Sequence, residues 1–472
     1  MTTPKTHSLL VLSAQRVEHL SQADIEDLCD YFDPDDVLLI RDGAGQHTLT
    51  RMAWELAEGI PRDKTVYKLE GQTWETVSTD AGTLLFAPEA PPHEEVAELL
   101  PDDGLEAYVF TDDVSVSIDL QELSATIDGL DPFLDHESPL TVFSGQLDAD
   151  YWVVREGTSI RGLAPVRSSN TEIPCITLGS DGIATTKTLA EDKLGIRVLT
   201  GMGETMADRF REAGYTSVED VYNASIRDIR RIPGVGEHRA TNFSKGSRAM
   251  VEKEVVRLTD DETLPRDVVH IDIETDGLTP TIIWQIGLYD PRTDDYRTFL
   301  QRDPFEKASI LREFGSWLRS NLDGRAVVAY NGWNFDFTCL DHFFVQHCLE
   351  YHDVWRSAYK FDPYDWAVRK NNAALPGRGN GLEEVAEALG YEREQTGLDG
   401  ATTAHVYQLY MQDPCEETEP DWKRHTTYCR EDVMGLDHLY ECLLDSGRLC
   451  TTETNRNRPT NENTTQGTLF DY

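Results

Sequence analysis

The run Val268–Thr275, Val-Val-His-Ile-Asp-Ile-Glu-Thr, restricts the fold more than any other part of the sequence. It is apolar enough for a buried strand, and side chains two residues apart in a strand lie on the same face. Asp272 and Glu274 therefore point the same way. Because an unpaired buried carboxylate is very costly, the pair indicates a metal ion or a basic partner beside the strand. Taken alone, an Asp-x-Glu pair is more often surface decoration.

A further acid follows the next buried strand. Predicted strands at 282–289 and 296–300 and an amphipathic helix at 309–321 lead to an apolar strand at 325–330. That strand runs into Asn-Gly-Trp-Asn-Phe-Asp and then into an apolar helix. Asp336 thus lies where a strand ends and a helix begins, a common place for functional groups in α/β folds. The alternative is that Asp336 only caps the helix.

The last acidic position lies on a long helix predicted over 422–444. Tyr428 and Asp432 are i and i+4, so their side chains share one face of that helix. By themselves they would be an ordinary helix pair.

Taken together, the three segments resemble the DEDDy exonucleases of the ribonuclease H-like superfamily. They are similar to the proofreading domains of B-family DNA polymerases and to stand-alone relatives. The resemblance covers residues 265–448 and implies an α/β fold, a mixed sheet flanked by helices. The rest of the chain has neither the motifs nor the length for palm, fingers and thumb, which excludes a whole polymerase.

The resemblance implies two-metal hydrolysis that releases nucleoside 5′-monophosphates from a 3′ end. The hard oxygens of the four carboxylates favour Mg²⁺ or Mn²⁺ over zinc. In the family's pattern, Asp272 bridges both ions, and Glu274 and Asp432 bind the ion on the nucleophile side. Asp336 binds mainly the second ion through water, and Tyr428 orients the attacking water.

Residues around Asp336 are candidates for contacts with the nucleic-acid strand. Asn331 and Asn334 would line its path, and Trp333 would offer a stacking surface. A tryptophan here fits equally well into a core, and the sequence leaves both interpretations open.

Residues 191–252 predict a small all-α domain. Gly201 and Gly203 form one Gly-x-Gly turn, Gly234 and Gly236 form a second, and each turn precedes a helix. The repeat resembles the tandem helix-hairpin-helix of DNA repair and replication proteins. Its glycines admit a phosphate to the helix N-terminus, which holds the nucleic-acid backbone without reading bases. The alternative is a helical spacer that uses glycine only to end helices.

The charge distribution favours the nucleic-acid interpretation. The whole chain has a formal net charge of −42, whereas residues 196–250 carry nine Lys and Arg against seven Asp and Glu. Arg239 and Lys245 belong to this basic set and are candidate phosphate contacts. The acids are dispersed and lysine is scarce, a composition that resembles the proteins of extreme halophiles and implies a halophilic archaeon as the source.

Residues 451–472 predict a disordered polar linker with an apolar, aromatic end. The end resembles the clamp-binding peptide of archaeal and eukaryotic replication proteins, which implies a sliding clamp as partner. The candidate clamp-binding residues are Gln466, Leu469, Phe470 and Tyr472. The alternative is an incidental tail.

Residues 1–190 predict an α/β or β-rich region of one or two subdomains, without a chemical motif. Strand-like runs occur at 37–40, 83–86, 108–110 and 151–154. No run reaches the ~18 apolar residues of a membrane helix, and none of the eight cysteines forms a C-x-x-C pair. We therefore expect a cytoplasmic protein without a membrane partner, a disulfide scaffold or a zinc ribbon.

The sequence as a whole predicts a metal-dependent 3′–5′ exonuclease that acts on nucleic acid in DNA repair or replication. DNA, as a single strand or a 3′ end, is the favoured substrate, and RNA is the alternative. Two other hypotheses stay open: a non-catalytic DNA-binding adaptor, and an RNA-directed or structure-specific nuclease on the same fold.

Overall fold

A computed structural model gives the fold of most of the chain. It describes residues 4–13, 20, 22–40, 60–69, 74–100, 106–111, 114–119, 124–129, 131–133, 140–148, 152–155, 158–164, 172–261, 263–415 and 418–456.

The N-terminal region is built mainly from strands. The strands are β1 Thr6–Ser13, β2 Asp36–Ile40, β3 Val66–Lys68, β4 Glu75–Ser78, β5 Thr83–Phe86, β6 Ala107–Thr111, β7 Ser115–Asp119, β8 Ser124–Asp128, β9 Leu140–Asp148, β10 Trp152–Arg155, β11 Thr158–Ala164, β12 Glu172–Gly179 and β13 Ala184–Ala190. The helices are α1 Gln22–Phe32 and α2 His93–Leu99, with 3-10 turns at Asp131–Phe133 and Glu191–Lys193. Three of the four runs predicted as strands lie in β2, β5 and β6, and the described residues 152–154 of the fourth run lie in β10.

These strands form two larger sheets and one hairpin. The first sheet has the order β13-β12-β1-β2-β3, with β1, β2 and β3 parallel and β12 and β13 antiparallel. The second has the order β10-β11-β9-β6-β5-β4 and is parallel from β11 to β5. Strands β7 and β8 pair only with each other.

Successive side chains of a strand point to opposite faces of its sheet, and in both sheets the two faces are buried. Leu9 of the first sheet shares a core with Phe86 of the second, whereas its neighbour Leu10 packs with Leu28 of helix α1. The two sheets therefore face each other and a helix covers the outer side of each, as Val96 of helix α2 does for the second sheet.

Residues 195–252 form the helical domain that follows. It contains a 3-10 turn at Gly195–Val198 and the helices α3 Glu204–Glu212, α4 Val218–Asn223, α5 Ile226–Ile229 and α6 Glu237–Glu252. Ser217 and Asp220 form a capping box at the start of α4. The apolar sides of these helices meet in one core around Phe210 and Phe243.

The C-terminal domain contains the remaining elements. They are β14 Val256–Arg257, β15 Val268–Thr275, β16 Ile283–Asp290, β17 Asp295–Leu300, α7 Ser309–Asn321, β18 Ala326–Val328, α8 Asp336–His347, α9 Leu349–Ser357, β19 Tyr359–Phe361, a π-helical turn Asp365–Arg369, β20 Ala373–Ala374, α10 Leu382–Ala388, α11 Gly400–Gln412 and α12 Trp422–Arg456. The main sheet has the order β17-β16-β15-β18-β19, antiparallel on one side of β15 and parallel on the other.

Helices cover both faces of this mixed sheet. Ile271 and Ile273 of β15 pack against Phe314 of α7 and Phe344 of α8. On the other face, Val268 and Val328 share a core with Leu436 and Leu439 of α12. The central strand is therefore buried on both faces, and any polar side chain on it needs a hydrogen-bond partner, an opposite charge or a metal ion.

Two predicted boundaries differ from the observed ones. The strand predicted at 325–330 stops at Val328, because the chain then turns and Asn331 adopts a left-handed φ of 57°. Helix α12 continues to Arg456, into the segment predicted as a linker.

No helix in the described part of the chain is long and apolar enough to span a membrane.

Candidate active site

The central strand β15 presents its acids to helix α12. Its odd-numbered residues Val269, Ile271 and Ile273 point into the core beneath α7 and α8. Alternation turns Asp272 and Glu274 to the opposite face, where they lie across from Gly287 and Gln285 of β16.

Asp272, Glu274 and Cys429 form a compact group of potential ligands. One ligand atom from each lies within 4.8 Å of the others, and the described residues contain no other such group of His, Cys, Asp or Glu. Cys429 Sγ donates to Asp272 Oδ2 at 3.7 Å. Burial, followed by the charges of Asp272 and Glu274, raises the pKa of the thiol well above its ordinary value, so the sulfur stays protonated.

The four predicted acids influence one another strongly. Burial and the charges of Asp432, Glu274 and Asp336 raise the pKa of Asp272 well above its ordinary value. Burial and the charges of Asp432 and Asp336 do the same for Glu274. Like charges held this close in a poorly hydrated site favour protons or a cation.

Asp336 and Asp432 have local partners that soften this repulsion. Asp336 is the first residue of α8, and burial raises its pKa to about 7 although backbone N–H groups, including that of Ile273, oppose the shift. Burial raises the pKa of Asp432 to about 6, while Arg393 lowers it.

Arg393 is a member of the site that sequence reasoning missed. Its Nη1 donates to Asp432 Oδ1 at 2.6 Å, and its guanidinium lies 5.1 Å from the centre of the Tyr428 ring. The residue lies in an irregular stretch between α10 and α11, where no motif or periodicity marks it.

Tyr428 lines the same cavity as Asp272, Glu274 and Asp432, whereas Asp336 is not part of the lining. Its pKa is raised well above its ordinary value by burial and by the charges of Asp432 and Glu274, so the hydroxyl keeps its proton. The cavity has a volume of about 370 Å³. Its lining comprises Asp272, Ile273, Glu274, Thr275, Gly277, Leu278, Phe335, Gly400, Ala401, Ala404, Tyr428 and Asp432. Leu278 at the rim is 92% exposed.

The loop between β18 and α8 lies beside this cavity, and only Phe335 of the loop lines it. The backbone N–H groups of Asn331 and Trp333 donate to the buried carboxylate of Asp362, at 2.9 Å and 3.2 Å. Asn334 Nδ2 donates to Asn331 Oδ1 at 2.6 Å, so the two side-chain amides are hydrogen-bonded to each other. The Trp333 ring packs edge-on against Phe337 and is 47% exposed. It is therefore partly packed against the core and partly accessible to solvent.

The two glycine turns of the helical domain have matching geometry. Gly201 and Gly234 adopt φ values of 84° and 85°, a conformation that favours glycine. Gly203 and Gly236 are the N-caps of α3 and α6, and a Cβ on either would have nothing within 4 Å. Both helix N-termini are therefore open to a ligand.

The two basic candidates of this domain differ. Arg239 is exposed on the first turn of α6. Lys245 Nζ instead donates to the Arg257 carbonyl at 2.8 Å, which ties α6 to β14 rather than presenting a free cation. Arg209 Nη1 donates to the Pro233 carbonyl at 3.0 Å and links the two hairpins.

The clamp-binding candidates Gln466, Leu469, Phe470 and Tyr472 lie outside the described residues.

Comparison with known protein families agrees with this division of the chain. Residues 269–444 match a family of the RNase H superfamily, and residues 197–242 match the SAM-like helix-hairpin-helix tandem family. The C-terminal domain is thus RNase H-like, and a helix-hairpin-helix domain precedes it, which confirms the predicted fold class. No curated protein matches the sequence.

Solved structures of exonuclease I show only a distant similarity. A product-bound form has 17% identity and a TM-score of 0.21 over 31% of this chain and 44% of that chain. A zinc-bound complex of the Escherichia coli enzyme with single-stranded DNA has 16% identity and a TM-score of 0.20, over 31% and 41%. The chain thus covers less than half of these proteins.

Proposed function

We propose that the protein is a metal-dependent 3′–5′ exonuclease that hydrolyses nucleic acid, with DNA as the favoured substrate. The observation that carries the proposal is the group of buried and half-buried, mutually repelling carboxylates, three of which (Asp272, Glu274 and Asp432) line one cavity that opens to solvent while the charge of Asp336 acts on the first two. A fold needs no such arrangement for stability, because every added like charge destabilises it. A divalent cation would relieve the repulsion.

The donor set fits Mg²⁺ or Mn²⁺. Asp272 and Glu274 supply hard oxygens within one compact group, Asp432 adds another at the same cavity, and Asp336 lies close enough for its charge to act on them. The protonated sulfur of Cys429 is a poor ligand for such ions. When bound, the metal ions would activate a water and stabilise the charge that develops on the phosphodiester. Tyr428 would hold that water through its neutral hydroxyl, and Arg393 would balance the charge of Asp432.

Two surfaces support a nucleic-acid substrate. The open N-termini of α3 and α6 suit the phosphate backbone of a strand. At the cavity rim, the exposed Leu278 offers an apolar contact to a base. We propose the 3′ polarity, as well as a role in DNA repair or replication, on the family resemblance of the acidic motifs.

The test is hydrolysis of 5′-labelled single-stranded DNA, and of the matching RNA, with Mg²⁺ or Mn²⁺ in molar KCl. We expect a metal-dependent ladder that shortens from the 3′ end and disappears in the Asp272→Ala variant. A 3′-blocked strand should stay intact. Cleavage of RNA alone, or of blocked and circular DNA, would replace the proposal with the RNA-directed or structure-specific nuclease.

One observation favours a second candidate, a non-catalytic DNA-binding adaptor. Arg393 already neutralises a carboxylate that the proposed metal would use. In that case the wild-type protein would bind DNA and leave it uncut at every metal concentration, and Mn²⁺ would not bind.

We also propose that the C-terminal peptide binds a sliding clamp. Its support is the order Gln466, Leu469, Phe470, Tyr472 at the end of a polar stretch. Deletion of residues 466–472 should abolish binding to an archaeal clamp in a pull-down without changing hydrolysis of short oligonucleotides. Undiminished binding would reject this part of the proposal.

A further inference from the structure

The segment 391–399 carries Arg393 to the active site and has no regular structure of its own. Helix α12 fixes its first half through one acid. Tyr391 Oη and the Glu394 backbone N–H both donate to Glu431 Oε2, at 2.8 Å and 3.1 Å. The second half of the segment needs other anchors.

Those anchors come through Arg424, one helical turn before Tyr428. Its Nε donates to the Thr396 carbonyl at 2.5 Å and its Nη2 to the Gly397 carbonyl at 3.3 Å. The remaining nitrogen, Nη1, donates to Asp181 Oδ2 at 2.5 Å. Asp181 lies in the turn of the β12–β13 hairpin, so Arg424 joins the N-terminal region to the segment that bears Arg393.

The absence of a side chain at Gly397 leaves room for the guanidinium of Arg424. It adopts a φ of 64°, and a Cβ there would lie 2.9 Å from Arg424 Nη2. A side chain would be strained by the backbone and would displace the guanidinium. The sequence thus reserves the space that Arg424 occupies.

The same hairpin makes two more contacts around the site. The Thr186 backbone N–H donates to Asp399 Oδ2 at 3.3 Å, while Oδ1 of that carboxylate caps α11 by accepting from Thr402 N–H at 2.7 Å. Helix α11 lines the cavity with Gly400, Ala401 and Ala404.

The other contact is an ion pair of Lys187 with Glu383 at 3.7 Å. The charge of Glu383 acts on both Arg393 and Asp432. One hairpin contact therefore ends on the segment that bears Arg393, one reaches that segment through Arg424, and the third ends on an acid whose charge acts on Arg393.

We propose that the β12–β13 hairpin is a positioning element of the nuclease, which acts through Arg424 to hold Arg393 beside Asp432. The inference rests on the proposed function. Arg393 donates to Asp432 Oδ1 and is assigned as the cation that balances this carboxylate, because a guanidinium forms strong hydrogen bonds with carboxylate oxygens. Asp181 and Arg424 are assigned as residues that position it.

A double-mutant cycle tests this assignment in the full-length protein. We expect Arg393→Gln to lower kcat/KM for single-stranded DNA about 100-fold and Arg424→Gln about tenfold. If Arg424 acts through Arg393, the double variant should be no slower than Arg393→Gln alone. Asp181→Asn, a milder change that leaves Arg424 in place, should lower kcat/KM about threefold and be silent in the Arg393→Gln background.

The control is Asp80→Asn, the same chemical change in the same region. Asp80 pairs with Lys5 at 3.2 Å, and both side chains are well exposed. This variant should hydrolyse DNA like the wild type. Melting temperatures of all variants show whether any loss comes from unfolding, and Arg424→Lys, which keeps the charge for Asp181, should recover part of the lost rate.

Binding of Mn²⁺, measured by electron paramagnetic resonance, gives a readout that needs no turnover. Arg393→Gln removes the cation beside Asp432 and should therefore tighten Mn²⁺ binding. Arg424→Gln should tighten it less, and the double variant should bind Mn²⁺ like Arg393→Gln alone. Additive losses in the cycle, or an Arg424→Gln enzyme as fast as the wild type, would overturn the inference and leave the exonuclease intact. A wild-type protein that cuts nothing would reject the proposed function and this inference with it.

Discussion

The helix-hairpin-helix domain and the RNase H-like domain differ in the kind of surface that each would present to the proposed nucleic-acid substrate. The first has helix N-termini at Gly203 and Gly236 with open space around both glycines. The second gathers carboxylates in a site whose burial raises their pKa values. The first surface would attract phosphate directly, whereas the second would repel it until a cation is bound.

The difference has an energetic consequence. The glycine turns cost the domain little, since Gly201 and Gly234 adopt a conformation that glycine tolerates. The acidic site lowers the stability of its own fold in the absence of metal. Binding and chemistry should therefore separate cleanly when each surface is altered alone.

The largest effect is expected from Glu274→Gln, which removes one ligand charge and keeps the shape of the side chain. We expect kcat to fall about 10³-fold or more, because the metal ions would lose a carboxylate that binds them. Affinity for single-stranded DNA, measured by fluorescence anisotropy, should change less than about twofold. A comparable loss of affinity would show that the two surfaces are not independent.

The next largest effect concerns stability. The folded-state pKa of Asp336 is about 7, above its ordinary value of 3.8. The stabilising contribution of such a group is complete below pH 4 and is lost as the pH rises through about 7. In metal-free protein, Asp336→Asn should therefore raise the free energy of unfolding at pH 8 by about 2 kcal/mol and change it little at pH 4.

Chemical denaturation with a chelator present, at both pH values, checks this expectation. Glu313→Gln is the matched control, since Glu313 is an exposed acid on α7. An equal gain at pH 4 and pH 8 would contradict the titration argument and point to packing instead.

A smaller effect is expected on the helix-hairpin-helix side. Gly236 has a φ of −81° and open space around its Cβ position, so Gly236→Ala fits the fold. The added methyl group should hinder the approach of phosphate and weaken DNA binding about tenfold, with kcat unchanged at saturating DNA.

Gly234→Ala is the contrasting variant at the same turn. Gly234 has a φ of 85°, and its Cβ would lie 2.5 Å from Arg209 Nη1. This change should cost about 1–2 kcal/mol of unfolding free energy. If both variants lost stability equally, the open geometry of Gly236 would not be the reason for weaker binding.

The smallest effect is expected from a substitution at the cavity rim. Leu278→Ser should raise KM for single-stranded DNA about threefold, with kcat and stability unchanged, because an exposed apolar contact to a base is lost. Leu349→Ser serves as the control, since Leu349 is 66% exposed and lies on α9, outside the cavity lining. Equal effects of the two variants would mean that Leu278 makes no specific contact.

Local rules predicted much of the RNase H-like domain. Alternation in β15 places Asp272 and Glu274 on one face, and the i, i+4 spacing in α12 places Tyr428 and Asp432 together. Both relations lie within a single element, so short-range geometry is enough to find them. The glycine turns are local in the same sense.

Contacts between segments that are distant in the sequence could not be predicted from periodicity within single elements. Arg393 meets Asp432 across 39 residues, and Cys429 meets Asp272 across 157. Asp362 accepts the backbone N–H groups of Asn331 and Trp333, across 31 and 29 residues. Nothing in the local pattern of these residues differs from that of a solvated side chain.

The sequence by itself determined the acidic motifs, the order of elements in the RNase H-like domain and the tandem glycine turns, because periodicity and glycine conformation act within a few residues. Only the tertiary structure decided which cation faces the acids, that a thiol lies among them, and that Lys245 binds a carbonyl. It also revealed the contacts of the β12–β13 hairpin, in which Asp181 meets Arg424 across 243 residues. Such pairs depend on how whole domains pack, which no local pattern encodes.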